Sequence, residues 1–248
     1  MFMTKRTSGE LKRLAREFLN GNYTVMAVSM LASFLIPALL LSPFTAGLSP
    51  QLDAVMAMYL AAAVIVEILS QLLSAGLLRM HLRLAQNQPF TWKDLFWTFR
   101  SCPDRFILAA VILTAILLVP ALPAAGCVVL LDITKPSSWL MIAVAVLAAA
   151  AVQLYVFYMF GLVYPLYIDN PQMTVAEGFR RSRQLMKGNK MRRFWLDVSC
   201  AGWNILGVLS AGIGILWISP YIRQTSVNFY LDLTGQLDAA GEGMQVSG

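Results

Sequence analysis

Apolar residues in this sequence fall in runs of 17 to 30, separated by short stretches rich in lysine and arginine. Runs of that length match the roughly 20 residues a helix needs to cross about 30 Å of hydrocarbon. Only 13% of the residues are charged while 58% are apolar, and the charged share is about half that of a soluble domain. A cytosolic enzyme is therefore a poor fit, and the expected class is an all-α, multi-pass transmembrane bundle. Four spans are expected at 23–41, 54–78, 106–131 and 139–168. The first is too long for the apolar part of a signal peptide, about 7 to 15 residues, and is expected to stay in the mature protein. The apolar region 194–233 reads either as one long span with an interfacial tail or as two short spans. Gly212-Ile213-Gly214 in its middle supplies the turn a tight hairpin needs and favours two, making six in all.

The cations set an orientation. Seventeen of the 19 Lys and Arg lie before the first span, between the second and third, or between the fourth and fifth. The opposite connections, 42–53 and 132–138, carry only Lys135. Cytoplasmic loops of membrane proteins hold the Lys and Arg excess, so the amino terminus is expected in the cytoplasm, with the carboxyl terminus there too under six spans.

Each of the three basic segments opens in the same way. Thr7-Ser8-Gly9-Glu10, Thr91-Trp92-Lys93-Asp94 and Thr174-Val175-Ala176-Glu177 place a hydroxyl three residues before a carboxylate, the spacing of a helix capping box. The threonines are 84 and 83 residues apart, which predicts a threefold repeat, 7–80, 91–168 and 174–233, within one membrane domain that ends in a disordered tail, 234–248. A short amphipathic helix is expected after each box, lying in the membrane interface. Leu11, Leu14, Ala15, Phe18 and Leu19 form the first apolar stripe, Trp92, Leu95, Phe96 and Phe99 the second, and Val175, Phe179, Ser182 and Met186 the third. Lys12, Arg13, Arg16, Arg180, Arg181, Arg183 and Lys187 occupy the polar faces and suit anionic headgroups or a membrane-protein partner; no nucleic-acid partner is expected. Gly21-Asn22 and Gly188-Asn189 close the first and third helices, glycine as a left-handed stop and asparagine as the cap of the next helix.

Catalytic and cofactor motifs are missing. The single histidine, His81, sits at the basic flank of the second span and is expected at the interface, and the three cysteines, Cys102, Cys127 and Cys200, lack metal-site or disulfide spacing. No enzyme activity, cofactor or metal is expected. Glu67 is the exceptional residue, an acid near the middle of the second span, where aspartate costs about 2.5 to 3.5 kcal/mol on insertion scales. Gln71 is one turn away, and Gln153, Asn204 and Arg223 are its candidate partners on other spans. Asp197 is expected to pair with Arg192 or Arg193 beside it.

Several of these segments also resemble a known family. Leu19-Asn20-Gly21-Asn22-Tyr23, the run from Ser182 to Lys190, Gly202-Trp203-x-x-Leu206-Gly207, Gly212-Ile213-Gly214, Pro220-Tyr221 and Phe229-Tyr230 are similar to the bacterial integral membrane family known as domain of unknown function 975. The resemblance implies a protein of the bacterial cytoplasmic membrane and implies no activity, substrate or catalytic residue. A looser similarity to membrane domains joined to some glycerophosphodiesterases hints at lipid handling by analogy. Two functions are expected from the sequence: first a non-enzymatic scaffold, regulator or accessory protein with a basic, lipid-facing inner surface, and second a transporter or channel for a small solute or lipid, built around Glu67.

Overall fold

The computed structural model describes residues 6–45, 54–101, 103–131, 134–210 and 212–237. Cys102 and the tail beyond residue 237 lie outside them. All regular structure among the described residues is helical: α1 (Ser8–Leu19), α2 (Tyr23–Leu41), α3 (Ala54–Ala85), α4 (Trp97–Arg100), α5 (Pro103–Leu130), α6 (Pro136–Phe160), α7 (Val163–Asp169), α8 (Val175–Met186), α9 (Lys190–Leu209) and α10 (Ile213–Thr234), with 3-10 turns at Ser42–Thr45 and Trp92–Phe96. Four segments are long and apolar enough to cross a membrane: Tyr23–Thr45, Ala54–Ala85, Pro103–Val128 and Pro136–Asp169.

The local chemistry of the sequence explains where the short helices begin and end. Glu10 accepts from the Thr7 amide at 2.7 Å while its own amide donates to the Thr7 hydroxyl at 3.3 Å. Glu177 and Thr174 repeat the exchange at 2.9 and 3.4 Å. Both helices run 12 residues and stop at a glycine in left-handed conformation, Gly21 at φ 80° and Gly188 at φ 79°. The asparagines play a different part from the one expected of them. Neither Asn22 nor Asn189 caps the following helix with its side chain; Asn189 donates instead to the carbonyl of Leu185, 2.7 Å away. With its backbone at φ -111° and ψ -3°, Asn189 is already helical, outside the extended conformation from which a side chain reaches forward to cap.

The middle basic segment is a five-residue 3-10 turn followed by the single turn α4, where a longer amphipathic helix is expected. The expected box at Thr91 and Asp94 forms, Asp94 accepting from the Thr91 amide at 2.8 Å, and its carboxylate is also drawn to Arg83 at 3.1 Å and Arg79 at 3.7 Å on α3. A Cβ on Gly76 would lie 1.9 Å from the Leu95 carbonyl oxygen, so the turn rests directly on the α3 backbone.

The core gathers at one end of the bundle. It is built from the amino-terminal parts of α2 and α5, the carboxyl-terminal parts of α3 and α10, α7, and the apolar stripe of α1. That stripe, expected against lipid, is buried in protein: Leu11, Leu14, Phe18 and Leu19 join Val227, Phe229, Tyr230 and Leu231 of α10 in one cluster. The third stripe is also drawn inward, with Phe179 5.1 Å from the Phe160 ring and Ser182 donating to the Met159 carbonyl at 3.0 Å. Toward the other end, side chains such as Phe34, Leu39, Leu122, Leu147 and Leu209 are exposed, as suits hydrocarbon rather than water. α9 and α10 come together across Gly212, at φ 85°, where Gly207 and Gly214 admit a close approach. Beyond α10, Gly235 ends the helix, Gln236 donates to Asp169 at 3.1 Å, and Leu237 is buried, so 234–237, the start of the expected tail, are packed.

Candidate functional site

Glu67, Gln71 and Ser74 lie a turn apart along one face of α3, and the bundle places that face against a cavity of about 330 Å³. Leu113 and Leu117 of α5 and Val156, Phe157 and Phe160 of α6 form its apolar wall. Tyr164 of α7 and Arg223, Ser226 and Tyr230 of α10 add polar groups, and Arg193 reaches in from α9.

Two separate polar centres share this space. Gln71 is the hub of the first: its amide nitrogen donates to Thr114 at 2.8 Å and to Glu67 at 3.2 Å, and its oxygen accepts from the Tyr164 hydroxyl at 2.6 Å. Three helices are thereby tied around the acid. Arg223 is the second centre. It donates to the Ser74 carbonyl at 2.9 Å, and its Nε is buried without a hydrogen-bond partner. Arg193 stands close to it but is already paired, with Asp197 at 3.1 Å and with the Ser226 hydroxyl at 2.7 Å. Glu67 and Ser74 are seven residues apart, which at 1.5 Å per residue separates the acid from the arginine's anchor by about 10 Å along the helix.

Of the polar residues singled out from the sequence, Glu67, Gln71 and Arg223 meet at this cavity, though the first and last do not pair with each other. Gln153 is engaged elsewhere, donating to the Leu117 carbonyl at 3.3 Å and joining α6 to α5. Asn204 is on the exposed face of α9. Thr114 and Ser226 carry no local signal in the sequence, and nothing local assigns Tyr164 or Tyr230 to a cavity; all four are recognised there only once their helices are assembled. Of the two arginines expected to pair with Asp197, Arg193 does so, one turn away on α9.

His81 is fully buried in the core and not at the interface. Its Nδ1 lies 2.8 Å from Gln224 Oε1, Gln224 donates to Asn228 at 3.1 Å, and Asn228 donates to the Leu11 carbonyl at 3.1 Å. Because a carbonyl only accepts, the direction of every link is fixed back along the chain, and His81 carries its proton on Nδ1. The relay stitches α1 to α3 through α10.

The basic residues of the short helices divide as well. Lys12 donates to the Ser199 carbonyl at 2.9 Å and Arg13 pairs with Glu17 at 3.6 Å. Arg16, Arg183 and Lys187 are exposed. Arg180 and Arg181 border an open groove of about 410 Å³ with Asn170, Gln172, Glu177 and Gln184. Among the described residues no group of three His, Cys, Asp or Glu side chains is placed to hold a metal ion.

An all-helical bundle with four membrane-length apolar helices and a partly polar internal cavity defines the class as a helical protein suited to a membrane. The chain matches the family described as "Protein of unknown function (DUF975)" over residues 1–236 and belongs to that family. No curated protein and no solved structure matches it.

Proposed function

We propose that this chain is a six-span, non-enzymatic protein of the bacterial cytoplasmic membrane that holds a small solute or lipid in the cavity beside Glu67, acting as a carrier or receptor. The observation that carries this reading is the convergence of Glu67, Gln71, Tyr164 and Arg223 on one cavity of about 330 Å³, a volume within the range of about 300 to 1,000 Å³ usual for ligand pockets. Ionisable groups at membrane depth are costly and mark ligand or ion pathways. Six spans are supported by the lengths of α9 and α10, 20 and 22 residues, which reach about 30 and 33 Å. Likeness between the first and third units of the internal repeat is supported by the matching caps and glycine stops of α1 and α8. A cytoplasmic amino terminus is supported by the cation-rich segments lying at the end where the core is packed.

The scaffold reading draws on a different observation, the exposed cations Arg16, Arg180, Arg181, Arg183 and Lys187, which suit anionic headgroups or a membrane-protein partner. The two readings separate in one experiment. Protein reconstituted in lipid nanodiscs is melted against a panel of small solutes and lipids, with Glu67→Gln beside it. A carrier or receptor gives a rise of several degrees with at least one compound, lost in Glu67→Gln although the variant inserts at the native level. No shift with any compound, together with a companion protein recovered at equal amount, would overturn the carrier reading in favour of the scaffold.

A further inference from the structure

Resting on the cavity's role as a ligand site, we infer that its ligand is an anionic amphiphile, with a carboxylate or phosphate head at Arg223 and an apolar tail against the α5 and α6 wall. Arg223 lines the cavity, forms no ion pair with a described carboxylate, and leaves its Nε without a partner. A cation with a buried, unpartnered nitrogen needs a counter-charge. The protein's own charges around it are of the wrong sign or otherwise engaged. Arg193, the charge that bears on it, is a second cation neutralised by Asp197, and His81, the other titratable group beside it, is a base. Glu67, the acid on the same cavity, sits about 10 Å further along α3 and is bonded to Gln71. The ligand supplies the missing negative charge.

The opposite wall sets the character of the tail. Leu113, Leu117, Val156, Phe157 and Phe160 offer no hydrogen-bonding side chain, and the hydroxyl of Tyr158 beside them is taken by Asp197, so a hydrated free anion would leave that half of the cavity unfilled, whereas an alkyl chain removes apolar surface from water. Guanidinium binds carboxylate and phosphate alike through paired N–H groups, so both heads belong to one ligand class.

The test uses the full chain in nanodiscs of zwitterionic lipid, with cis-parinaric acid as a fluorescent probe displaced by 12-carbon competitors. Dodecanoate and dodecyl phosphate are expected to compete at least tenfold more strongly than dodecanol or dodecyltrimethylammonium, and Arg223→Gln to erase that preference. Leu117→Trp, which leaves the arginine intact, is expected to weaken 12-carbon but not 6-carbon anions, so the inference is tested even if Arg223→Gln fails to fold. Equal competition by neutral and anionic chains would overturn the charge assignment and leave the cavity standing as a ligand site. Displacement by inorganic phosphate at the concentration of dodecyl phosphate would overturn the tail, pointing to a free anion. If the probe does not bind at all, and no compound shifts the melting temperature, the inference and the carrier reading fall together.

Discussion

Gly76 shows how a single missing side chain positions an element. The Leu95 carbonyl occupies the space a Cβ would need, 1.9 Å from the ideal position, and backbone cannot swing aside as a flexible side chain can. Gly76→Ala is expected to cost about 3 kcal/mol, the upper end of overpacking effects, and to lower the melting temperature of the purified protein. Gly202→Ala on the open side of α9 is the control, since nothing lies within 4 Å of its Cβ position; it should be neutral or slightly stabilising. Glycine content alone does not tell these two positions apart. The same limit applies to His81, whose basic neighbours in sequence suggest an interfacial place and whose partner Gln224 is 143 residues away.

At the scale of the element, the capping boxes were legible because all their parts lie within four residues. Thr174 and Glu177 satisfy each other and open α8 whatever the rest of the chain does. They also make the helix sensitive to acid. The Thr174 amide and hydroxyl hold the Glu177 carboxyl below the usual value of 4.5. A carboxyl lowered on folding contributes stability that is fully present above its unfolded pKa and is lost as pH falls through the folded one. Amide protection across 174–186, taken relative to the intrinsic exchange rate at each pH, is therefore expected to fall below about pH 4.5, and Glu177→Gln, which still reaches back to the cap, should flatten that response. Equal protection above and below about pH 4.5 in the native chain would show that the box does not hold the helix start. The periodicity of α1 gave its apolar face but not its occupant. An amphipathic stripe on a basic helix fits lipid and protein equally well, and here α10 covers it.

For the whole molecule, the packed core lies where the starts of α2 and α5 meet the ends of α3, α7 and α10, while the other halves of the long helices turn apolar side chains outward. The proposed amino-terminus-inside arrangement puts Ser8 and Lys187 on the inner side and Lys135 on the outer. Cysteines introduced singly at Ser8 and Lys187 are expected to resist a membrane-impermeant reagent in intact cells, and one at Lys135 to be labelled. Labelling at Ser8 or at Lys187 would reject the amino-terminus-inside arrangement of the first four spans. The sequence by itself determined the all-helical class, the position of the apolar helices and the capped and glycine-ended short helices, because each depends on residues within one or two turns. Which faces meet was decided only by the tertiary structure. Glu67 and Arg223 share a cavity yet do not pair because their heights on α3 and α10 differ, and that offset comes from how the helices pack, a long-range quantity on which the local pattern of apolar and polar residues is silent.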